Sequence, residues 1–261
     1  MASSREIKLK SPIKKFLTKL FNYIGYEIKR KNNFNDRWAN YTIEVDDEQR
    51  DLLKSFEKKC LASELNLWSI YQSLEYIKNR DIDGDIVECG VYNGSTLSFI
   101  GLISEKLKLE KKIWGYDTFD GFVTNAYSDK DTDFKTGKKI NHEDSDIYYS
   151  LEEVKENIIS NDPQNFEKYN LVKGDILQTL NEEKNVPEKI SFLRLDTDIY
   201  KTTKKQLEVL FNRLVYGGIL HIDDYGICPG VKKAVDEFFY DKKIWLHRVD
   251  MSCRYLIKER Q

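Results

Sequence analysis

Two short apolar runs, residues 190–195 and 219–222, each end in acidic residues, and this arrangement constrains the fold more than any other feature. Asp196-Thr197-Asp198-Ile199-Tyr200 follows the first run and Asp223-Asp224-Tyr225 follows the second. Runs of this length without a helical period read as buried strands of a parallel sheet. Carboxylates at the tips of neighbouring central strands repel one another and lose hydration, so such a cluster persists most easily beside a cation. Asp196, Asp223 and Asp224 are therefore candidate metal ligands. A set of hard oxygens without Cys or His suits Mg²⁺, with Mn²⁺ or Ca²⁺ as alternatives. Capping of the helices that follow is the structural alternative for each Asp taken singly.

Strands and helices alternate along most of the chain. Helical patterns cover residues 48–60, 63–79, 95–108, 151–160, 202–215 and 231–240. Strand patterns cover 85–89, 112–116, 169–173, 190–195, 219–222, 244–249 and 254–258, the last antiparallel because only a short turn precedes it. Seven strands with intervening helices predict an α/β fold, a doubly wound and mostly parallel Rossmann-like sheet. Residues 126–150 lack periodicity, and a connection this long in a compact domain is expected to be a lid or loop. The domain is expected over 48–261, preceded by a basic extension and linker over 1–47. In that extension Ser11-Pro12 caps an amphipathic helix carrying Ile13, Phe16, Leu17, Leu20, Phe21 and Ile24. Residues 1–31 hold nine Lys or Arg against two Glu. The segment reads as a packing or dimerisation arm, or as a helix resting on an anionic membrane surface. A homo-oligomer is expected.

The formal charge of −2 over 261 residues excludes a general polyanion binder, so nucleic acid is not an expected partner. Cys60, Cys89, Cys228 and Cys253 lack CxxC spacing, which indicates neither zinc nor a disulfide framework. No long apolar run and no signal peptide pattern is present, which points to the cytoplasm. Trp114, Trp245 and most Phe positions fall in strand-like runs and read as core.

The segment Glu88-Cys89-Gly90-Val91-Tyr92-Asn93-Gly94-Ser95 is a strand running into a glycine turn and then a helix. Glycines there allow tight turning and close approach of a ligand to the backbone. A dinucleotide site would show GxGxxG. Glu88 stands where the first glycine would be, and an acidic group there repels a pyrophosphate but suits a sulfonium, favouring S-adenosylmethionine. Asp117, after the next strand, is placed to accept from ribose hydroxyls. Asp175, in Gly174-Asp175, sits at the third strand's tip, within reach of an adenine amino group. Each also reads as a turn or capping residue.

The segments GDIVECGVYNGST, WGYDTFDGF, KGDI, LRLDTDIYKTT and YGGILHIDDYGICPG resemble the macrocin O-methyltransferase family of sugar-hydroxyl methylating enzymes over about residues 60–240. The resemblance implies a class I methyltransferase fold, S-adenosylmethionine, and a divalent metal on Asp196, Asp223 and Asp224. It implies a cofactor site lined by Glu88, Gly90, Val91, Tyr92, Asn93, Gly94 and Ser95, by Asp117, Thr118, Phe119 and Gly121, and by Gly174 and Asp175. Asp196 is implied as a base. His221, where the family is usually apolar, and the basic N-terminal helix depart from the pattern.

The expected chemistry is metal-dependent methyl transfer from S-adenosylmethionine to a hydroxyl of a sugar or glycan acceptor, with the metal chelating adjacent acceptor oxygens. Asp196 is the expected proton acceptor. His142, in the expected lid, is a second, and His221 reads as a core histidine. Tyr200 and Tyr225 flank the acidic cluster and either pack beneath it or stack on a sugar. Two other readings stay open: an NAD-dependent nucleotide-sugar oxidoreductase, and a non-catalytic, membrane-associated binding protein. Small catechol-like acceptors compete with sugars.

Overall fold

The computed structural model describes residues 44–123, 126–140 and 148–260. The chain divides into two compact units, 1–50 and 51–261. The first is described only over its last seven residues, so the expected basic helix lies outside the described residues.

Helices α1 (Asp47–Phe56) and α2 (Glu64–Asn79) precede the sheet. Ser63 caps α2, accepting from the Asn66 amide, and Leu67, Ile70, Tyr71, Leu74 and Ile77 bury one face at helical spacing. Strand β1 (Asp85–Cys89) leads into α3 (Ser95–Lys106), and β2 (Ile113–Asp117) is followed by α4 (Leu151–Asn161). Next come β3 (Tyr169–Lys173), a short α5 (Ile176–Thr179), β4 (Ile190–Leu195), α6 (Tyr200–Arg213) and β5 (Leu214–Ile222). Helix α7 (Pro229–Phe238) and strands β6 (His247–Arg248) and β7 (Arg254–Ile257) close the chain.

The seven strands form one sheet in the order β3-β2-β1-β4-β5-β7-β6. Strands β1 to β5 pair in parallel, and β7 runs antiparallel between β5 and β6. The doubly wound, mostly parallel sheet expected from the alternation is therefore present. Strand order reverses between β1 and β4. In open α/β sheets, ligands bind at that switch point, outside the carboxyl ends of the strands.

Two local expectations are corrected. Strand β5 begins at Leu214, immediately after α6, with Gly217 and Gly218 inside it, so it starts before the expected 219. A Cβ on Gly218 would lie 2.8–3.0 Å from Leu214, Val215 and Ser191 atoms, which explains a small residue there. Trp245 is 75% exposed, stacked on His247 at the sheet's outer edge, whereas Trp114 is buried as expected. Within the expected lid, residues 126–140 are built around Asp131. Asp131 is buried, accepts from Ser128, and binds the Tyr200 amide that opens α6.

Candidate active site

The first half of the site lies at the tips of β1, β2 and β3. After Cys89 the chain turns at Gly90 with φ of 88°, and a Cβ there would stand 1.7 Å from the Asp196 carbonyl oxygen. This glycine exists because the ends of β1 and β4 approach each other closely. Asp117 ties the turns together. Its Oδ2 accepts from the Val91 amide at 2.7 Å and the Tyr92 amide at 3.0 Å, and its Oδ1 accepts from the Phe119 amide at 2.9 Å. Asp175 caps α5 through the Leu177 amide at 2.9 Å.

A cleft of about 620 Å³ opens over these tips, within the usual range for small-ligand sites. Gly90, Tyr92, Asp117, Thr118, Gly121, Gly174 and Asp175 line it. Glu88, Val91, Asn93, Gly94, Ser95 and Phe119 lie outside that lining, in the strand, turn and helix start behind it. Glu88 is an interior strand residue, 1% exposed, and accepts from Arg194. Val91 and Phe119 are buried in the core. Asn93 caps the Ser95 amide, Gly94 is the left-handed N-cap of α3, and Ser95 is buried against Asn157. His142 lies outside the described residues.

The second half lies at the tips of β4 and β5 and is made of charge. Carboxylate oxygens of Asp196, Asp223 and Asp224 lie within 4.8 Å of one another, as the sequence suggested. Asp198 joins them, and a second group within 4.8 Å comprises Asp198, Asp224 and the thiol of Cys228. Asp198 and Asp224 hold φ of 61° and 60°, a left-handed conformation that Asp tolerates better than most side chains. Turns of that kind let consecutive residues at a strand tip aim their side chains at one point.

The residue that sequence reasoning missed is Arg194. It stands inside β4, 1% exposed, in register with Glu88 of β1 and His221 of β5. Its guanidinium donates to Glu88 at 2.9 Å, to Asp196, and to Asp223 at 2.5 Å. Four donors hold Asp223. Its Oδ2 accepts from Arg194 and from Asn66 at 3.1 Å, and its Oδ1 from Ser252 Oγ and the Asp224 amide, both at 3.1 Å. An Arg embedded in an otherwise apolar strand beside a strand carrying Glu88 was the available signal, because a buried charge requires a partner. Asn66, Ser63, Asp250 and Ser252, which also line the cleft, carried no such signal.

Burial governs the titration of this cluster. It raises the Asp196 carboxyl to about 8 against the pull of Arg194, with Asp223 and Asp224 adding to the rise. Burial, together with a hydrogen bond to Asp198, raises Asp224 to about 9. Asp198 is raised by the same desolvation, and Glu88 to about 8. Burial depresses His221, which contacts Ser69 and Cys253, so it stays neutral and serves as the core histidine expected of it. Tyr225 and Tyr200 bond to Asp236 and Glu237 on α7 and do not line the cleft, so the packing role holds for both.

These residues fit a hard dication. One guanidinium shared among Glu88, Asp196 and Asp223 leaves the cluster with surplus negative charge. Burial and mutual repulsion raise the Asp196 and Asp224 carboxyls, the direction expected of acids short of a counter-charge that a cation would supply.

The strand order with an antiparallel seventh strand, and a cleft at the β1/β4 switch point lined by a glycine turn and strand-tip acids, define a class I methyltransferase. The family profile of macrocin-O-methyltransferases (TylF) matches residues 40–258, and the chain belongs to that family. It is therefore an O-methyltransferase, which removes the oxidoreductase and scaffold readings. It is 28% identical over 210 residues to demethyldecarbamoylnovobiocin O-methyltransferase of Streptomyces niveus, covering 80% of this chain and 77% of that one. It is 28% identical over 163 residues to mycinamicin III 3''-O-methyltransferase of Micromonospora griseorubida, covering 60% and 61%. The solved structure of the O-methyltransferase NovP superposes with a TM-score of 0.67 at 27% identity, covering 76% of this chain and 81% of that one.

Proposed function

We infer that the chain transfers a methyl group from S-adenosylmethionine to a sugar hydroxyl of a glycosylated acceptor, with assistance from a divalent metal. One observation carries the reading. The acid cluster of Asp196, Asp223 and Asp224 opens on the same cleft as Gly90, Asp117 and Asp175, so methyl donor and activated oxygen would meet in one enclosure.

Asp117 would hold ribose hydroxyls and Asp175 the adenine amino group. The cofactor supplies a methyl made electrophilic by its sulfonium. Asp196, Asp223 and Asp224 would hold Mg²⁺ or Mn²⁺, which would supply Lewis-acid activation of an acceptor hydroxyl. Positioning can contribute about 7–11 kcal/mol in ideal cases, while a general base typically adds a factor of about 10²–10⁴. For the proton, Asp196 and Asp198 are both in the cleft. Burial raises Asp196 against the pull of Arg194, so Asp196 is the proposed base, with Asp198 beside it. His142 stays a proposed alternative.

The acceptor reading draws on the relatives, one named for a novobiocin precursor and one for the 3'' position of mycinamicin III. Charge sharpens it. Among the described residues, the cleft is lined by seven aspartates and by no Lys, Arg or His. A nucleotide diphosphate would meet repulsion there, so a neutral glycoside fits better than a nucleotide-activated sugar. Contact of the basic segment 1–31 with an anionic membrane, a cytoplasmic location and a homo-oligomeric state stay with this proposal. Among the described residues, no helix is long and apolar enough to cross a membrane.

The test is a panel of glycosides and nucleotide sugars incubated with radiolabelled methyl donor, with Mg²⁺ or with EDTA. Label on a neutral glycoside only in the presence of metal is the expected result. Transfer that persists in EDTA removes the metal, and label confined to nucleotide sugars removes the acceptor reading.

A further inference from the structure

Carboxylates brought this close need more than neutralisation. Each must be held in the rotamer that presents an oxygen to the ion, against repulsion from its neighbours. Two groups each contact two of the three proposed ligands: Ser252 Oγ touches Asp223 and Asp224, and the one charged group, Arg194, grips Asp196 and Asp223. Its Nη1 bonds Asp196 Oδ2 and its Nη2 bonds Asp223 Oδ2, while Nη1 also reaches Glu88 Oε1 at 2.9 Å. Strand β4 carries Arg194 two residues before Asp196, and the parallel pairings put β1 on one side of it and β5 on the other. Guanidinium is planar, so two carboxylates gripped by its two Nη atoms cannot rotate independently. Glu88 completes the arrangement from behind, taking the remaining reach of Nη1 in a position that touches no metal ligand.

We propose that Arg194 is the positioning residue of the metal centre, orienting Asp196 and Asp223 together so that the site is formed before the ion arrives. The inference rests on the metal-assisted reading above and adds a residue that never touches the ion. It separates two roles a buried cation can have. A counter-charge could be replaced by any ammonium of similar size. An orienting fork could not.

Two variants distinguish these roles. Arg194→Lys keeps the charge and loses the fork. The double variant Glu88→Gln, Arg194→Met replaces the buried pair by uncharged side chains and also loses the fork. Replacing a buried ion pair by uncharged side chains of similar volume is often tolerated by the fold. Mn²⁺ binding is measured by calorimetry on the full chain with S-adenosylhomocysteine present, and affinity for that nucleoside is measured on the same samples. Wild type is expected to bind Mn²⁺. Both variants are expected to bind it about 10- to 100-fold more weakly, the usual penalty for losing a group that orients a metal ligand, with nucleoside affinity kept. Wild-type Mn²⁺ affinity in either variant overturns the proposal. Absence of Mn²⁺ binding in the wild type, with nucleoside binding intact, overturns the metal reading itself and this proposal with it. Failure of both variants to fold by circular dichroism reduces Arg194 to a structural ion and also overturns it.

Discussion

The two halves of the cleft solve the problem of a polar site on a buried sheet in opposite ways. At the tips of β1 to β3, Asp117 is surrounded by the amides of Val91, Tyr92 and Phe119, so its carboxylate is satisfied by backbone dipoles. At the tips of β4 and β5, Asp196, Asp198, Asp223 and Asp224 crowd together with one guanidinium between them. The first half is a set of turns that would fold much the same without a ligand. The second carries uncompensated charge and is expected to change its protonation when an ion binds. Backbone amides fix a shape, whereas crowded like charges leave a demand for a partner.

The sharpest break of this contrast is Asp224→Ala. Turnover is expected to fall by at least about 10²–10³-fold, as for loss of a preorganised electrostatic group, while S-adenosylhomocysteine affinity is kept. Loss of nucleoside binding would show that the halves are not separable. Protons offer a second probe. Glu88, Asp196 and Asp224 are raised to about 8, 8 and 9, so between about pH 4 and those values the folded chain holds protons that the unfolded chain has released. The stability these three groups contribute to the metal-free protein is therefore fully present below about pH 4 and is lost as pH rises through 8 to 9. Denaturant titrations across that range should show the decline, and saturating Mg²⁺ should flatten it. A flat metal-free profile would contradict the crowding.

In the other half, Gly90→Ala forces φ of 88° on an alanine and drives its Cβ towards the Asp196 carbonyl. The backbone conformation alone is expected to cost about 1–3 kcal/mol in a urea titration, with weaker nucleoside binding. The mildest change is Asp175→Ala. It removes the cap of α5, expected to cost about 1 kcal/mol, and lowers nucleoside affinity if Asp175 reaches the adenine. Unchanged affinity would leave Asp175 as a cap only.

Particular residues show where the sequence was legible. The tips could be read because each acid ends an apolar run, and a parallel sheet brings the ends of such runs to one edge. Asp117, Asp175, Asp196, Asp223 and Asp224 all line the cleft for that reason. For Glu88 the motif gives its place before the turn but not the direction of its side chain. In the structure it belongs to the buried strand and faces Arg194. Asn66 and Ser252 approach Asp223 from sequence separations of 157 and 29, across which no local pattern carries information.

The sequence by itself determined the alternation of elements, the sheet and the acids at its edge, because periodicity and apolar runs are local properties of the chain. The tertiary structure decided which charges meet. Only the register of β4 between β1 and β5 puts the Arg194 guanidinium against Glu88, Asp196 and Asp223, and the energy of a buried charge depends on its neighbours in space.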